Sequence, residues 1–211
     1  MSSAVSDARH ELPLVVKVGG SLAETGRLQG ELNRIAAANR PVVIVPGGGA
    51  FADKVRDLQR AVRFDDATAH RLAMLGMHQM AEVFVTLSPK LRITDTLDGI
   101  FDCLRFGLTP VWVPLPTLER DTTIPADWSI TSDSIAARLA ELLGGAPLVL
   151  LKSVDVAGAE TAAELAHAGV VDEAFPGIAA RANLTWRIYG PGADAAFSAL
   201  LTEAPKAAAK S

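Results

Sequence analysis

Five apolar runs of four or five residues predict the buried strands of a β-sheet. Polar residues rarely alternate with the apolar ones, a pattern typical of parallel strands that are covered on both faces. The stretches between them repeat apolar residues every three or four positions and predict amphipathic helices. The predicted strands are Leu14–Val18, Val42–Val45, Pro110–Pro114, Leu148–Leu151 and Thr185–Tyr189, and the predicted helices are Ala23–Asn39, Ala50–Val62, Asp66–Leu87, Leu97–Phe106, Ser134–Leu143 and Ala193–Leu201.

The alternation of strands and helices predicts a doubly wound α/β fold, with helices on both faces of a parallel sheet. A chain of 211 residues is long enough for one domain with a sizeable core and short for two. We expect a single domain over residues 12–204, with flexible termini at residues 1–11 and 205–211.

Composition and charge disfavour several classes of partner. The net charge is −4 and the pI about 5.6, so neither nucleic acid nor an anionic membrane is an expected partner. No apolar run approaches the roughly 20 residues that cross a bilayer. The N-terminus lacks the charged start and apolar middle of a signal peptide. A cytoplasmic protein is therefore expected.

Two predicted strands end in consecutive glycines, in the segments VVKVGGS and VVIVPGGG. In open parallel sheets, ligands bind at the carboxyl ends of the strands, and glycine lets the backbone approach an anion closely. Gly19–Gly20 and Gly47–Gly49, with Lys17 just before the first pair, therefore predict a phosphate site. The alternative is that these glycines only make tight turns. Neither junction matches G-x-x-x-x-G-K-[ST] or G-x-G-x-x-G, so P-loop and dinucleotide-binding folds are not favoured.

A third segment, SITSDSIAARLAELLGGAPLVLLKSVD, brings Asp133 to a predicted helix start and Lys152 to the end of the next strand. Asp133 is expected at the same rim of the sheet as the two glycine loops. Aspartate is also a common helix N-cap, so a purely structural role is the alternative for this residue.

In this order and at these separations, the three segments resemble the amino acid kinase superfamily, which includes acetylglutamate, uridylate and isopentenyl phosphate kinases. The resemblance covers about residues 13–190 and implies a three-layer αβα sandwich with a mainly parallel central sheet. It also implies an ATP-dependent kinase that transfers the γ-phosphoryl group to a carboxylate, carbamate or phosphate, with Mg²⁺ bridging the ATP phosphates.

The resemblance implies roles for the residues at this rim. Lys17 would contact the transferring phosphoryl group, and Asp133 would hold Lys17 in place, with no protein ligand for the metal. Asp155 would lie near the nucleotide, with a plain loop cap as the alternative. The residues that bind the ATP phosphates would be Gly19, Gly20, Ser21, Gly48 and Gly49. The chain departs from its relatives after Asp155, where the nucleotide-binding segment is short and a second lysine is missing. Lys152, or else Arg181, is expected to take the place of that lysine.

The acceptor is expected to be an anion that is bound by cations near the second glycine loop. The candidate substrate-binding residues are Gly49, Arg56, Arg63, His70 and Trp128. Arg56 is the first choice among the cations, and Trp128 would form a wall against a small ring. Asp98 is a candidate partner for an amine on the acceptor.

Within the superfamily, the segments PGGGAFADKVR, FDDATAHRLAMLGMHQM and PLPTLERDTTIPADWSITSDS are most similar to the small kinases that make [5-(aminomethyl)furan-3-yl]methyl diphosphate, a methanofuran precursor. This similarity implies that the small-molecule substrate is a phosphomonoester. The alternatives are a kinase that forms an acyl phosphate on an amino acid, and a regulatory or binding relative without turnover. A homo-oligomer is expected from the resemblance, and because Asp66–Leu87 carries more apolar surface than one domain needs.

Overall fold

The central sheet is parallel throughout and has six strands in residues 12–203, the part of the chain that the computed structural model describes. The order across the sheet is β3-β4-β2-β1-β5-β6. The strands are β1 (Leu14–Val18), β2 (Val42–Pro46), β3 (Leu91–Thr94), β4 (Thr109–Trp112), β5 (Leu148–Leu151) and β6 (Trp186–Tyr189). The direction in which strands are added reverses between β1 and β5, and open sheets bind ligands at such a point.

Ten α-helices in the described part of the chain cover the sheet. They are α1 (Ser21–Glu24), α2 (Leu28–Ala36), α3 (Gly49–Val62), α4 (Asp66–Leu87), α5 (Leu97–Arg105), α6 (Leu115–Leu118), α7 (Ser132–Leu142), α8 (Ala162–His167), α9 (Phe175–Arg181) and α10 (Asp194–Thr202). The predicted α/β class, with a three-layer sandwich around a parallel sheet, is confirmed.

Strand β1 shows how the two outer layers are filled, because alternate side chains of a strand point to opposite faces. Leu14, Val16 and Val18 pack in one core cluster with residues of α2 and α10. Val15 packs in the other cluster, with residues of α5, α7 and α9. Lys17 alternates in step with Val15, so its side chain emerges on the side of the sheet that α7 covers.

The long helix α4 has the predicted bounds, and it is largely a core element. Asp65 caps its N-terminus by accepting a hydrogen bond from the Thr68 amide at 2.7 Å. Met74, Met77 and Met80 are all buried in the domain. Val83 of the same helix is 39% exposed, so α4 also keeps apolar surface outside the core. The oligomer that was expected from this helix stays a prediction.

Helix α3 carries several exposed apolar side chains. It has no fully buried residue, and Phe51, Leu58 and Val62 are 39%, 47% and 64% exposed. One face of α3 packs closely on α4, because a Cβ on Gly76 would stand 3.2 Å from the Ala52 nitrogen. The glycine allows that approach.

The structure differs from the predicted elements in more than the positions of their ends. Strand β3 was not predicted, because this edge strand is half exposed and its sequence, LRIT, is not a continuous apolar run. The predicted helix Ala23–Asn39 is divided into α1 and α2 by a turn in which Gly26 has a φ of +71°. The short helices α6, α8 and α9 were not predicted either. The remaining predicted elements match the observed ones or differ from them by at most two residues at an end.

No helix within residues 12–203 is long and apolar enough to cross a membrane. The termini that were expected to be flexible, residues 1–11 and 205–211, lie outside the described residues. A single domain over residues 12–204 stays a prediction.

Candidate active site

Two glycine loops meet backbone to backbone at the carboxyl ends of β1 and β2. The Gly47 amide donates to the Val18 carbonyl at 2.8 Å, and a Cβ on Gly20 would stand 2.2 Å from the Cα of Gly49. Gly49 also has a φ of +52°, which L side chains rarely adopt. The glycines are therefore needed for the two loops to pack together. Helix α3 starts at this junction without a side-chain cap, which leaves amides of its first turn directed at the rim.

The loops border a cavity of about 260 Å³ that brings most of the predicted site residues together. The predicted residues that line it are Lys17, Gly19, Gly20, Ser21, Gly48, Gly49, Arg56, His70 and Trp128. Its apolar side is formed by Met74, Met77, Ile130 and Ile135. The cavity thus has a polar end at the glycine loops and an apolar wall between α4 and α7.

Lys17, Asp133 and Lys152 form a buried cluster at the polar end of the cavity. Lys17 Nζ lies 3.0 Å from Asp133 Oδ1, in an ion-pair contact that does not have hydrogen-bond geometry. Lys152 Nζ donates to Asp133 Oδ2 at 2.5 Å. The three side chains are only 8%, 4% and 14% exposed in chain order. One carboxylate therefore faces two ammonium groups, one on β1 and one just beyond the end of the neighbouring strand β5.

Burial and the neighbouring charges shift the pKa values of this cluster. Burial alone would raise the pKa of Asp133, but the ammonium groups of Lys17 and Lys152 overcome this effect and hold it below its usual value. Burial and the Lys17 ammonium lower the pKa of Lys152, and Asp133 opposes them. Asp133 is consequently ionised at neutral pH and can hold both lysines in place.

The N-terminus of α7 is capped from a distant part of the chain. Thr131 is the N-cap residue, and Asp133 is the second residue of the helix rather than its cap. The Asp172 carboxylate accepts hydrogen bonds from the Thr131 amide at 2.9 Å and from the Ser134 amide at 2.7 Å. It also accepts a short bond from the Thr131 hydroxyl. The side chain of Asp133 is thus left for the two lysines.

Arg56 and Trp128 form the rim of the cavity that is farther from Lys17. The Arg56 guanidinium lies 4.3 Å from the centre of the Trp128 ring, and it donates to Asp53 Oδ1 at 3.0 Å. The Trp128 indole donates to Gln59 Oε1 at 2.6 Å, which fixes the ring against α3. Asp53 also lines the cavity, so this rim presents both a cation and an anion.

His70 is buried, and it lines both this cavity and a second cavity between α4 and the segment 118–126. Burial lowers its pKa, against the carbonyls of Asp127 and Ile130 and the charge of Asp127. The imidazole is therefore mainly neutral at pH 7. It can take part in a hydrogen bond with an acceptor, but it does not add the positive charge that the sequence suggested.

Several predicted residues lie away from the cavity. Arg63 is exposed at the left-handed end of α3, with a φ of 65°. Arg181 forms a double hydrogen bond with Glu141, at 2.8 and 2.7 Å, and this lowers the pKa of Glu141 to about 2. Asp98 is exposed in the first turn of α5. Neither arginine is brought to the lysine cluster, and Lys152 takes the position for which Arg181 was the alternative.

Asp155 lies beyond β5 and accepts a hydrogen bond from the Gly192 amide at 2.8 Å. This contact corresponds to the loop-cap alternative. A further cavity of about 490 Å³ lies at the β6 edge of the sheet, and its lining includes Val156, Gly158, Trp186 and Tyr189. Trp186 packs with one core cluster and Tyr189 with the other, so these two aromatic side chains lie on opposite faces of β6.

Sequence reasoning missed three residues that shape the site. Asp172 caps α7, Gln59 holds Trp128, and Arg27 donates to the Lys152 carbonyl at 3.2 Å while it pairs with Glu31 and Asp194. Apart from the pair of Arg27 with Glu31, which are four positions apart, these contacts join residues 38 or more positions apart, so no local spacing predicts them. The one local clue is the acidic residue before a short helix with proline in its first turn, in VVDEAFPG.

No group of three or more His, Cys, Asp and Glu side chains within residues 12–203 is arranged to hold a metal ion. The carboxylate of Asp133 is already engaged by two lysines.

The chain is similar to several known proteins. The family model described as the amino acid kinase family matches residues 13–161. A curated relative, [5-(aminomethyl)furan-3-yl]methyl phosphate kinase of Methanocaldococcus jannaschii, is 29% identical over 143 residues, which are 67% of this chain and 66% of that protein. The match therefore spans just under two thirds of the relative's own length.

Solved structures with low sequence identity share the fold. Uridylate kinase from Archaeoglobus fulgidus superimposes with a TM-score of 0.65 at 16% identity, over 84% of this chain and 90% of that chain. The isopentenyl phosphate kinase of T. acidophilum, a product complex, superimposes with a TM-score of 0.54 at 12% identity, over 86% and 92% of the two chains.

Proposed function

The chain belongs to the amino acid kinase family, and from this premise we propose that it is an ATP-dependent kinase that phosphorylates a small phosphomonoester. The observation that carries the proposal is the cavity in which Lys17 and two glycine loops converge, with Asp133 holding Lys17. Phosphoryl transfer depends mainly on alignment and on neutralising charge, and these are the properties of that cluster.

In the proposed reaction, a phosphate oxygen of the acceptor forms a bond to the γ-phosphorus, the bond to the bridging oxygen breaks, and ADP leaves with that electron pair. Lys17 would neutralise the charge of the moving phosphoryl group, and the amides near Gly20 and Gly49 would bind its oxygens. Asp133 would keep both lysines in place. A phosphate acceptor is already an anion, so no general base is required.

ATP would extend from the glycine loops along the carboxyl ends of β1 and β5. Lys152 would stand next to the phosphate chain there. When bound, Mg²⁺ would neutralise and orient the ATP phosphates. Asp155 would act on the nucleotide only indirectly, by supporting the turn at Gly192.

For the acceptor we propose [5-(aminomethyl)furan-3-yl]methyl phosphate, in the biosynthesis of a methanofuran-type cofactor. Three features support it: the similar kinase named for this compound, a cavity near the lower end of the usual range of about 300–1,000 Å³, and a rim of mixed charge. Arg56 would bind the phosphate, and Trp128 would cover the ring. Asp53, rather than Asp98, would bind the ammonium group.

Reaction of the purified protein with ATP, Mg²⁺ and the synthetic furan phosphate, followed by ³¹P NMR, tests both levels of this proposal. A pair of coupled diphosphate doublets is the expected product. A hydroxylamine-trappable product with an acidic amino acid, and none with the furan phosphate, would instead indicate an acyl-phosphate-forming kinase. Nucleotide binding without ADP formation from any acceptor would indicate a relative that only binds.

We further expect a homo-oligomer that functions in the cytoplasm. The exposed apolar face of α3, formed by Phe51, Leu58 and Val62, supports the first expectation. That face is separate from the lysine cluster, so its burial in an interface would be compatible with an open active site.

A further inference from the structure

We propose that Asp172 is a positioning residue for phosphoryl transfer: its carboxylate clamps the start of α7 so that Asp133 faces both Lys17 and Lys152. The proposal rests on the kinase function given above. Asp172 lies outside the matched family segment, residues 13–161. Its role is inferred from the contacts of this chain.

The clamp replaces the local cap that the helix lacks. In a capping box, the N-cap side chain binds the amide of the third helical residue, whose own side chain binds the N-cap amide. Here the Thr131 hydroxyl donates away from the helix, to Asp172 Oδ1. Asp172 Oδ2 binds both of the amides that a capping box would satisfy, those of Thr131 and Ser134. One carboxylate from a distant segment therefore accepts the hydrogen bonds for which a capping box uses two local side chains.

This arrangement fixes Asp133 from both sides. Asp133 lies between the two residues that Asp172 holds, Thr131 and Ser134, on the first turn of α7. A further hydrogen bond, from the Ala174 amide to the Ser129 carbonyl at 3.1 Å, ties the same two chain segments together. A rotation of this first turn would carry the Asp133 oxygens away from Lys17 and Lys152, which are bound at 3.0 and 2.5 Å.

The charges of the cluster are consistent with the clamp. Asp172 adds a second carboxylate close to two lysines and Asp133. Burial and the nearby Asp133 raise the pKa of Asp172, while the bonds from Thr131 and Ser134 and the charge of Lys17 favour its ionised form. The three donors that converge on it are those of an acceptor-only carboxylate. Asparagine at this position could not accept all three bonds and would remove the charge.

The test compares Asp172→Asn with Glu173→Gln, which neutralises the neighbouring, exposed carboxylate. With ATP and the furan phosphate, Asp172→Asn is expected to lower kcat on the order of 10²-fold, because a small displacement of a positioned group has effects of that size. KM for both substrates should change far less. Combined with Asp133→Asn, the Asp172→Asn change should cause no further loss, whereas independent effects would add.

A second measurement does not depend on turnover. Peptide-resolved acetylation with a hydroxysuccinimide ester reports the accessibility of each lysine, with exposed Lys54 and Lys90 as internal references. Loss of a helix cap corresponds to about a tenfold change in a local opening equilibrium. Asp172→Ala, which removes the bonds to both helix amides, should therefore accelerate the labelling of Lys17 and Lys152 by about tenfold relative to the references, and Glu173→Gln should not.

The outcomes separate this proposal from the proposed function. A wild-type protein that forms no ADP with any acceptor would refute the kinase function, and the labelling rates would still decide the role of Asp172. Lower thermal stability with unchanged labelling, or with unchanged kcat per folded molecule, would refute the positioning role. If Asp172→Asn does not fold, Thr131→Val removes one donor to the same carboxylate. It should lose more activity than Thr131→Ser, which keeps the hydroxyl, and equal losses would refute the role.

Discussion

Replacement of Asp133 by asparagine would leave two ammonium groups facing each other in the protein interior. Asp133 is 4% exposed and lies 3.0 Å from Lys17 Nζ and 2.5 Å from Lys152 Nζ. Asparagine keeps the size of the side chain but loses its charge. The substitution is therefore close to a pure test of the electrostatic role of the carboxylate.

The expected loss of stability follows from these distances. At about 3 Å and an effective dielectric constant of about 20, one unit-charge pair contributes about 5 kcal/mol. Desolvation of the three charges offsets much of this, and breaking a buried pair by removing one partner typically costs about 3–5 kcal/mol. We expect a loss of about that size at neutral pH, which is a large part of the roughly 5–15 kcal/mol that stabilises a native protein.

The loss should also depend on pH. Removing Asp133 takes away the charge that opposes the lowering of the pKa of Lys152. In the variant, the folded state would therefore release lysine protons well below the unfolded-state pKa of about 10.4. Between these two pKa values the unfolded state binds more protons, so the stability of the variant rises with pH. The deficit relative to wild type should be largest near neutral pH and smaller in alkaline solution.

Acid should reduce the same deficit for a different reason. The folded-state pKa of Asp133 is lowered, so its stabilising contribution is fully present above the unfolded-state pKa of about 3.9. That contribution is lost as the pH falls through the folded-state pKa. Wild type and variant should therefore converge at strongly acidic pH.

Urea unfolding followed by circular dichroism, at about pH 7 and about pH 9.5, measures these differences. Asp57→Asn is the matched control, because Asp57 pairs with Arg60 at 2.5 Å with side chains 56% and 78% exposed. Such a surface pair should contribute at most about 1 kcal/mol. A deficit for Asp133→Asn no larger than that of the control, or one that is equal at both pH values, would refute the electrostatic reasoning.

Three other predictions follow from the geometry. Gly20→Ala should separate the glycine loops and lower turnover on the order of 10²-fold, because its Cβ would stand 2.2 Å from the Gly49 Cα. Gly30→Ala is the control, because its Cβ would meet nothing within 4 Å, and equal activities of the two variants would contradict the prediction. In steady-state kinetics, Trp128→Leu should raise KM for the acceptor about tenfold, because the stacking with Arg56 is lost, and should leave KM for ATP unchanged. A parallel rise in the two KM values would argue against a role of Trp128 in acceptor binding. Light scattering should show assemblies of the 22.1 kDa chain that Leu58→Glu dissociates, and a wild-type monomer at micromolar concentration would exclude them.

The fold could be predicted from the sequence because its strands and helices have strong local patterns. Buried strands such as β2 and β5 are continuous apolar runs, and α4 has apolar side chains along its whole length. The same reasoning failed where local pattern and tertiary position disagree. Strand β3 is an edge strand with one buried residue in four. It is a strand because it pairs with β4, and its own sequence has no apolar run that would predict it.

The site could be predicted in part, for a related reason. Lys17 lies near the end of β1, Asp133 lies in the first turn of α7, and Lys152 directly follows β5. Parallel strands bring such positions to one rim. Their mutual distances depend on the register between β1 and β5, which pairs Lys17 with Leu150 and places Lys152 just beyond the strand. Asp172 and Gln59 act through contacts between distant segments, so no periodicity in the sequence indicates them.

The double use of glycine at the rim follows from how the loops pack. A side chain at Gly20 would collide with Gly49, and one at Gly47 would stand 2.8 Å from the Gly20 nitrogen, so both junctions must lack side chains for β1 and β2 to end side by side. The same absence leaves backbone amides of both loops close to Lys17. Tight turns and a phosphate site were alternatives when only the sequence was considered. In the folded chain the close packing of the loops requires these glycines, and the proposed phosphate site would use the backbone amides of the same residues.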